Sequence, residues 1–126
     1  MDIGESLLGD IRVVHPSGRL DGVTSPEFQA RLQEAVGRAT AGVIVDFAKV
    51  EYISSAGLRV LVSAARQRQD CALAVAALQP IVQEIFRIAR FQLVMPVFDT
   101  VAEAAGTLTT AKDAQPNAGD SGSRSD

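Results

Sequence analysis

Apolar positions switch between strand-like and helix-like spacing up to about residue 110 and then stop. Asp2 to Leu8 and Ile11 to His15 read as two strands joined by a Gly9-Asp10 turn, a favoured hairpin signal. Pro16-Ser17-Gly18 breaks that run. Thr24-Ser25-Pro26-Glu27 then predicts a helix start, with Thr24 as cap, Glu27 closing a capping box and Pro26 in the first turn. Phe28, Leu32, Ala35 and Val36 supply its apolar stripe. Val43 to Phe47, VIVDF, predicts a strand covered on both faces. Leu58, Leu61, Val62 and Ala65 return to helical spacing. Cys71 to Leu78, CALAVAAL, predicts a buried strand despite its alanines. Pro80 opens a third helix with a stripe of Ile81, Ile85, Ile88 and Ala89. Val97 and Phe98 form a last short strand before a second capping box, Thr100 to Glu103, and a helix through Leu108. Strands alternating with helices imply parallel crossovers and an α/β domain with an antiparallel N-terminal pair.

Composition narrows what such a domain does. At 126 residues, 47% hydrophobic, the chain supports one core and not two ordinary domains. A net charge of −3 gives no basic footprint for nucleic acid. The acidic start MDIGESLLGD lacks the basic region and apolar core of a signal peptide, and CALAVAAL is far short of the roughly 20 residues a membrane helix needs. Cys71 is the single cysteine and sits inside that apolar run, which fits a packed thiol in a reducing cytoplasm. From Ala111 to Asp126 the residues are small, polar and without an apolar repeat, so the reading is a folded domain over 1–110 and a disordered tail over 111–126.

Candidate chemistry centres on Tyr52 to Leu58, YISSAGL, where a strand gives way to a helix. Its paired hydroxyls suit a cap, a nucleophile or an acceptor of added charge. The nucleophile reading lacks support: Ile53 stands where a G-x-S-x-G elbow needs glycine, and His15 is the only imidazole. One His and one Cys make no typical zinc site, and no G-x-G-x-x-G or P-loop pattern occurs, so no metal or cofactor is expected. A hydroxyl of Ser54 or Ser55 could cap the helix, worth about 1 kcal/mol. The same free amides and positive dipole end would tolerate a phosphate, which adds about −1.5 to −2 charges and would repel a partner without unfolding the domain.

Four ordered segments, SGRLDGVTSPEF at Ser17 to Phe28, VIVDFAKVEYISSAGLRVL at Val43 to Leu61, LQPIVQEIFRIARF at Leu78 to Phe91 and MPVFDTVAEA at Met95 to Ala104, together resemble a stand-alone STAS domain of the bacterial anti-sigma-factor antagonists. The resemblance implies a mixed sheet of four to five strands with about four helices packed largely on one side. It also implies partner switching, in which an anti-sigma factor serine kinase binds the unmodified protein, phosphorylates one serine and releases it, and a PP2C-type phosphatase restores it. No enzyme activity, nucleic acid or membrane is implied, and the free protein is expected to be a monomer. The family's acceptor lies in an Asp-Ser-Ser/Thr-Gly-Leu-Gly run. Matching Gly57-Leu58 puts Ser55 on the acceptor, with Ser54 as the alternative because it replaces the family's Asp. Ala56 takes the third position, and Arg59 stands where the family often has Gly.

Arg59, at i+4 from Ser55, either pairs with a phosphate there or lies in solvent. By the same resemblance Asp21 and Asp46 end near the acceptor and contact the partner with Ser54, Ala56, Gly57 and Arg59. Their plainer readings are a turn residue for Asp21 and a capping or strand-end residue for Asp46. Arg66, Arg68, Arg87 and Arg90 fall near helix ends, where basic side chains complement the dipole, and His15 reads as a strand-end residue. A second functional class is a STAS subunit that binds the ATPase of a lipid-transport ABC complex without phosphorylation. A hydrolase using Ser55 is the third.

Overall fold

The computed structural model describes residues 2–67 and 71–114, the last six of them by backbone alone. The chain runs β1 (Ile3–Leu8), β2 (Ile11–Leu20), α1 (Ser25–Arg38), β3 (Gly42–Asp46), β4 (Lys49–Ile53), α2 (Ser55–Gln67), β5 (Ala72–Ala76), α3 (Pro80–Ile88), a 3-10 turn (Phe91–Leu93), β6 (Val97–Phe98) and α4 (Val101–Ala114). One six-stranded sheet has the order β1-β2-β3-β5-β6, with β4 pairing β2 off that path. β1 and β2 are antiparallel, and the other pairings are parallel. The expected α/β architecture is present, with six strands in place of four or five.

The additional strand is β4, between Val43–Phe47 and the serine pair, where the sequence analysis assigns no separate strand. β2 explains it. Its first half pairs β3 as far as Val14 with Val45, and its second half pairs β4 from Ser17 with Lys49. Pro16-Ser17-Gly18 therefore does not end the strand. Proline lacks an N–H, and Pro16 falls in the gap between the two parallel ladders, where no donor is needed. Gly18, at φ +94°, accompanies a register shift between Gly18 and Arg19.

The sheet is covered unequally. Phe28, Leu32 and Ala35 of α1, Val60, Leu61 and Ala64 of α2, and Val82 and Phe86 of α3 pack with Val14, Val43, Val45, Leu73 and Val75 into the larger core. On the other face Ala104, Ala105 and Leu108 of α4 meet Ile11, Val13, Ile44, Ala74 and Ala76. The alanines that weaken β5 as a strand on propensity are thus the positions against α4, where small side chains let helix and sheet approach closely.

Two helical stripes differ from their expected positions. α3 buries Val82 and Phe86, whereas Ile81 and Ile88 are 53% and 69% exposed. Phe86 decides the face by meeting Phe47 at 5.7 Å in a T-shaped pair and Phe91 at 4.9 Å. α2 buries Gly57, Val60, Leu61 and Ala64, leaving Leu58, Val62 and Ala65 at the margins. Glu103 N–H donates to Thr100 Oγ1 at 3.0 Å and Asp99 N–H to Glu103 Oε1 at 3.2 Å, close to the box expected at α4. At α1 the Thr24 hydroxyl makes no cap. It donates instead to Arg19 O at 2.7 Å and accepts from Asp21 N–H at 3.0 Å. α4 continues to Ala114, so four residues read as tail are helical; the remainder of that segment and Arg68 lie outside the described residues.

Candidate functional site

β2 and β4 finish side by side, Leu20 opposite Ile53, and the chain turns directly from Ile53 into α2. Ser54 N–H donates to Leu20 O at 2.8 Å, which ties the start of α2 to the end of β2. The first helical bond follows, from Leu58 N–H to Ser54 O at 3.0 Å, so the amides of Ser55, Ala56 and Gly57 open the helix as free donors. Gly57 is required by this close approach. A Cβ there would stand 2.7 Å from Ile53 Cγ1 and 3.1 Å from both Cβ and O of Leu20.

The two serines occupy different environments. Ser54 is half-buried, and its Oγ is enclosed without a hydrogen-bond partner, so it does not serve as a side-chain cap. Ser55 is exposed at the first position of α2. Arg59, one turn on, is exposed and forms no ion pair within the described residues. A groove of about 580 Å³ separates α1 from α2 and is lined by Ala56, Arg59, Ser63 and Arg66 on one side and Pro26 and Gln29 on the other. Ser25, 6% exposed, lines it too, and its Oγ is the second enclosed hydroxyl without a partner. Nothing in the sequence marked α1 as the second wall. Only the contact between the two helices shows it.

Asp21 belongs to this end of the sheet as a turn residue. Its Oδ1 accepts from Val23 N–H at 3.0 Å and Thr24 N–H at 3.2 Å, and its carbonyl accepts from Ser25 N–H at 2.9 Å. Those bonds, from Thr24 first and Val23 second, hold its carboxyl below the usual 3.8. Ser54, Ser55, Ala56, Gly57, Arg59 and Asp21 are therefore gathered around one loop.

Asp46 is not. It follows Val45, which pairs the middle of β2 at Val14, roughly 20 Å from Leu20 at about 3.3 Å per residue. There Asp46 Oδ2 lies 2.9 Å from His15 Nδ1, its Oδ1 accepts from Ala48 N–H at 3.0 Å, and His15 Nε2 lies 2.8 Å from Ser6 Oγ. His15 is within β2 and not at its end. The hydrogen bonds join three strands and have no counterpart in local spacing, so no sequence pattern pointed to them.

Arg87 pairs with Glu84 one turn earlier, in keeping with a structural role, whereas Arg90 takes a left-handed conformation, φ 54°, where α3 stops. Arg19 lies over the Tyr52 ring at 4.5 Å, bracing β2 against β4 just before the serine loop. No helix among the described residues is long and apolar enough to cross a membrane.

Comparison with known proteins follows the same outline. The STAS domain family model matches residues 7–104. BtrV of Bordetella bronchiseptica, described as an anti-sigma factor antagonist, is 32% identical over 96 residues, 75% of this chain and 83% of that one. Among solved structures, an anti-sigma factor antagonist from Mycobacterium paratuberculosis superposes with a TM-score of 0.77 at 18% identity, covering 86% of this chain and 93% of the other. The Bacillus cell fate determinant SpoIIAA in its phosphorylated form superposes at 0.62 and 16% identity, covering 85% and 99%.

Proposed function

Since the chain belongs to the STAS domain family, we propose that it is an anti-sigma-factor antagonist whose binding surface surrounds Ser55 and is closed by phosphorylation of that serine. The unmodified protein binds an anti-sigma factor serine kinase, is phosphorylated and released, and is restored by a PP2C-type phosphatase. The observation that carries the choice of residue is the contrast between an exposed Ser55 at the head of α2 and a Ser54 hydroxyl enclosed beneath it. Only the former is open to a kinase without local unfolding.

The local physics supports a switch. A phosphate on Ser55 meets the free amides of the first turn and the positive end of the helix, so α2 persists. Arg59 is one turn away and without an acidic partner among the described residues, which places a cation within reach of that phosphate. About −1.5 to −2 charges then occupy a surface formed by Ala56, Gly57 and the groove toward α1, and a partner that had packed there loses its contact. Incubation with the cognate anti-sigma kinase and ATP, followed by intact mass measurement, should add one phosphate. Ser55→Ala should abolish it and Ser54→Ala retain it. Loss in Ser54→Ala alone would overturn the assignment, and retention in both would remove the phosphoswitch.

A further inference from the structure

His15, the only histidine of the chain, lies on the face of β2 that also carries Ile11 and Val13. Directly opposite it on β1 is Gly4, whose missing side chain leaves the imidazole free to lean along β1 to Ser6. On its other side β3 brings Asp46 to the same level. Three neighbouring strands thus line up Ser6 Oγ, His15 and Asp46 at 2.8 and 2.9 Å. A carboxylate only accepts, so Nδ1 of the neutral imidazole carries the proton, and the lone pair of Nε2 is directed at the Ser6 hydroxyl. The Ala48 amide fixes Asp46 from behind, and the carboxylate is the more sheltered member at 19% exposure against 37% for the imidazole. This satisfies two geometric requirements of a base-activated serine: nucleophile to base, and base to orienting group.

We propose that Ser6 is an activated nucleophile that accepts an acyl group from activated esters, with His15 as general base and Asp46 as its positioning residue. Ser6 is exposed on an edge strand, so an ester reaches it without any opening of the fold. A depression of about 410 Å³ adjoins His15 and Asp46 and is lined also by Gly4, Ser17 and Lys49; Ser6 stands outside that lining, on the exposed strand. In the acylation step Ser6 Oγ bonds to the carbonyl carbon while Nε2 takes the hydroxyl proton. The tetrahedral intermediate then expels the alkoxide or phenoxide, which receives that proton directly or through solvent. Water, deprotonated by His15, cleaves the acyl-serine to the free acid and regenerates Ser6. This centre lies at the middle of β2, apart from the Ser55 loop at its end, and its test is independent of the switch.

The experiment treats the full chain with p-nitrophenyl acetate, following p-nitrophenolate release and the acetylated peptide by mass spectrometry. General-base assistance of this type is worth roughly 10²–10⁴-fold. Acetylation should map to Ser6, vanish in Ser6→Ala, and slow by about 100-fold or more in His15→Ala and His15→Gln, with Asp46→Asn between them and the native protein. Circular dichroism confirms that each variant is folded. Acetylation confined to lysines, unchanged release in Ser6→Ala, or equal Ser6 acetylation rates with and without His15 would each overturn the proposal.

Discussion

Replacing Gly57 by alanine tests whether α2 is seated as closely as the structure indicates. The added Cβ would meet Ile53 Cγ1 at 2.7 Å and Leu20 Cβ and O at 3.1 Å, where Leu20 is fully buried and Ile53 is 1% exposed. Ile53 sits in a packed core and the Leu20 atoms belong to a paired strand, so relief requires α2 to lift. Overpacking of this kind costs about 1–3 kcal/mol. Alanine also returns about 1 kcal/mol through its better helix propensity. The net expectation is a loss of up to about 2 kcal/mol, which at a urea m-value of about 2 kcal/mol/M lowers the midpoint by up to roughly 1 M with the slope unchanged. A cycle with Ile53→Ala isolates the clash: removing Cγ1 makes room, so the double variant should be less destabilised than the two single losses added together. A midpoint above that of the native protein, or strict additivity in the cycle, would refute the close seating of the helix.

Other substitutions separate competing readings of the same residues. Phe86→Ala should cost about 3–5 kcal/mol in urea unfolding, whereas Ile88→Ser, on the exposed side of α3, should change stability by no more than about 0.5 kcal/mol. Ser54→Ala should cause no loss of stability, because it removes an enclosed hydroxyl with no partner; a drop of about 1 kcal/mol would restore the capping role. Asp21 has a folded pKa held below 3.8, so its ionised form stabilises the native state above that pH and the benefit fades as pH falls through the folded value. The stability gap between the native protein and Asp21→Ala should accordingly be wide at pH 7 and narrow as the pH falls below 3.8 in urea titrations, and a gap that widens toward acid would contradict the turn bonds to Val23 and Thr24.

Much of the architecture is legible in hydrophobic period because β3 and β5 are buried along nearly their whole length and α1 buries a whole stripe of Phe28, Leu32 and Ala35. α3 shows where that signal fails. Its isoleucines and its Val82 and Phe86 are equally apolar, and the choice of buried face rests on a distant aromatic, Phe47, invisible to local counting. β4 escaped because only Val50 and Ile53 of its five residues are buried, which leaves no continuous apolar run like those of β3 and β5. The serine loop was readable because its residues are contiguous. The Ser6–His15–Asp46 alignment was not, since it depends on the register of three strands, and the same register moves Asp46 away from the loop.

The two-part pairing of β2 also has a consequence for the order in which the molecule assembles. The β1–β2 hairpin closes through a tight turn at Gly9 and Asp10. The parallel ladders must instead bring β3 and β4 back across roughly thirty residues, at a loop-closure entropy that the hairpin does not incur. The bond from Ser54 to Leu20 lies at the far end of the second ladder and forms only once that return is complete. A nascent chain stopped before residue 42 holds the hairpin without either ladder, so the surface around Ser55 exists only in a chain that has closed its sheet.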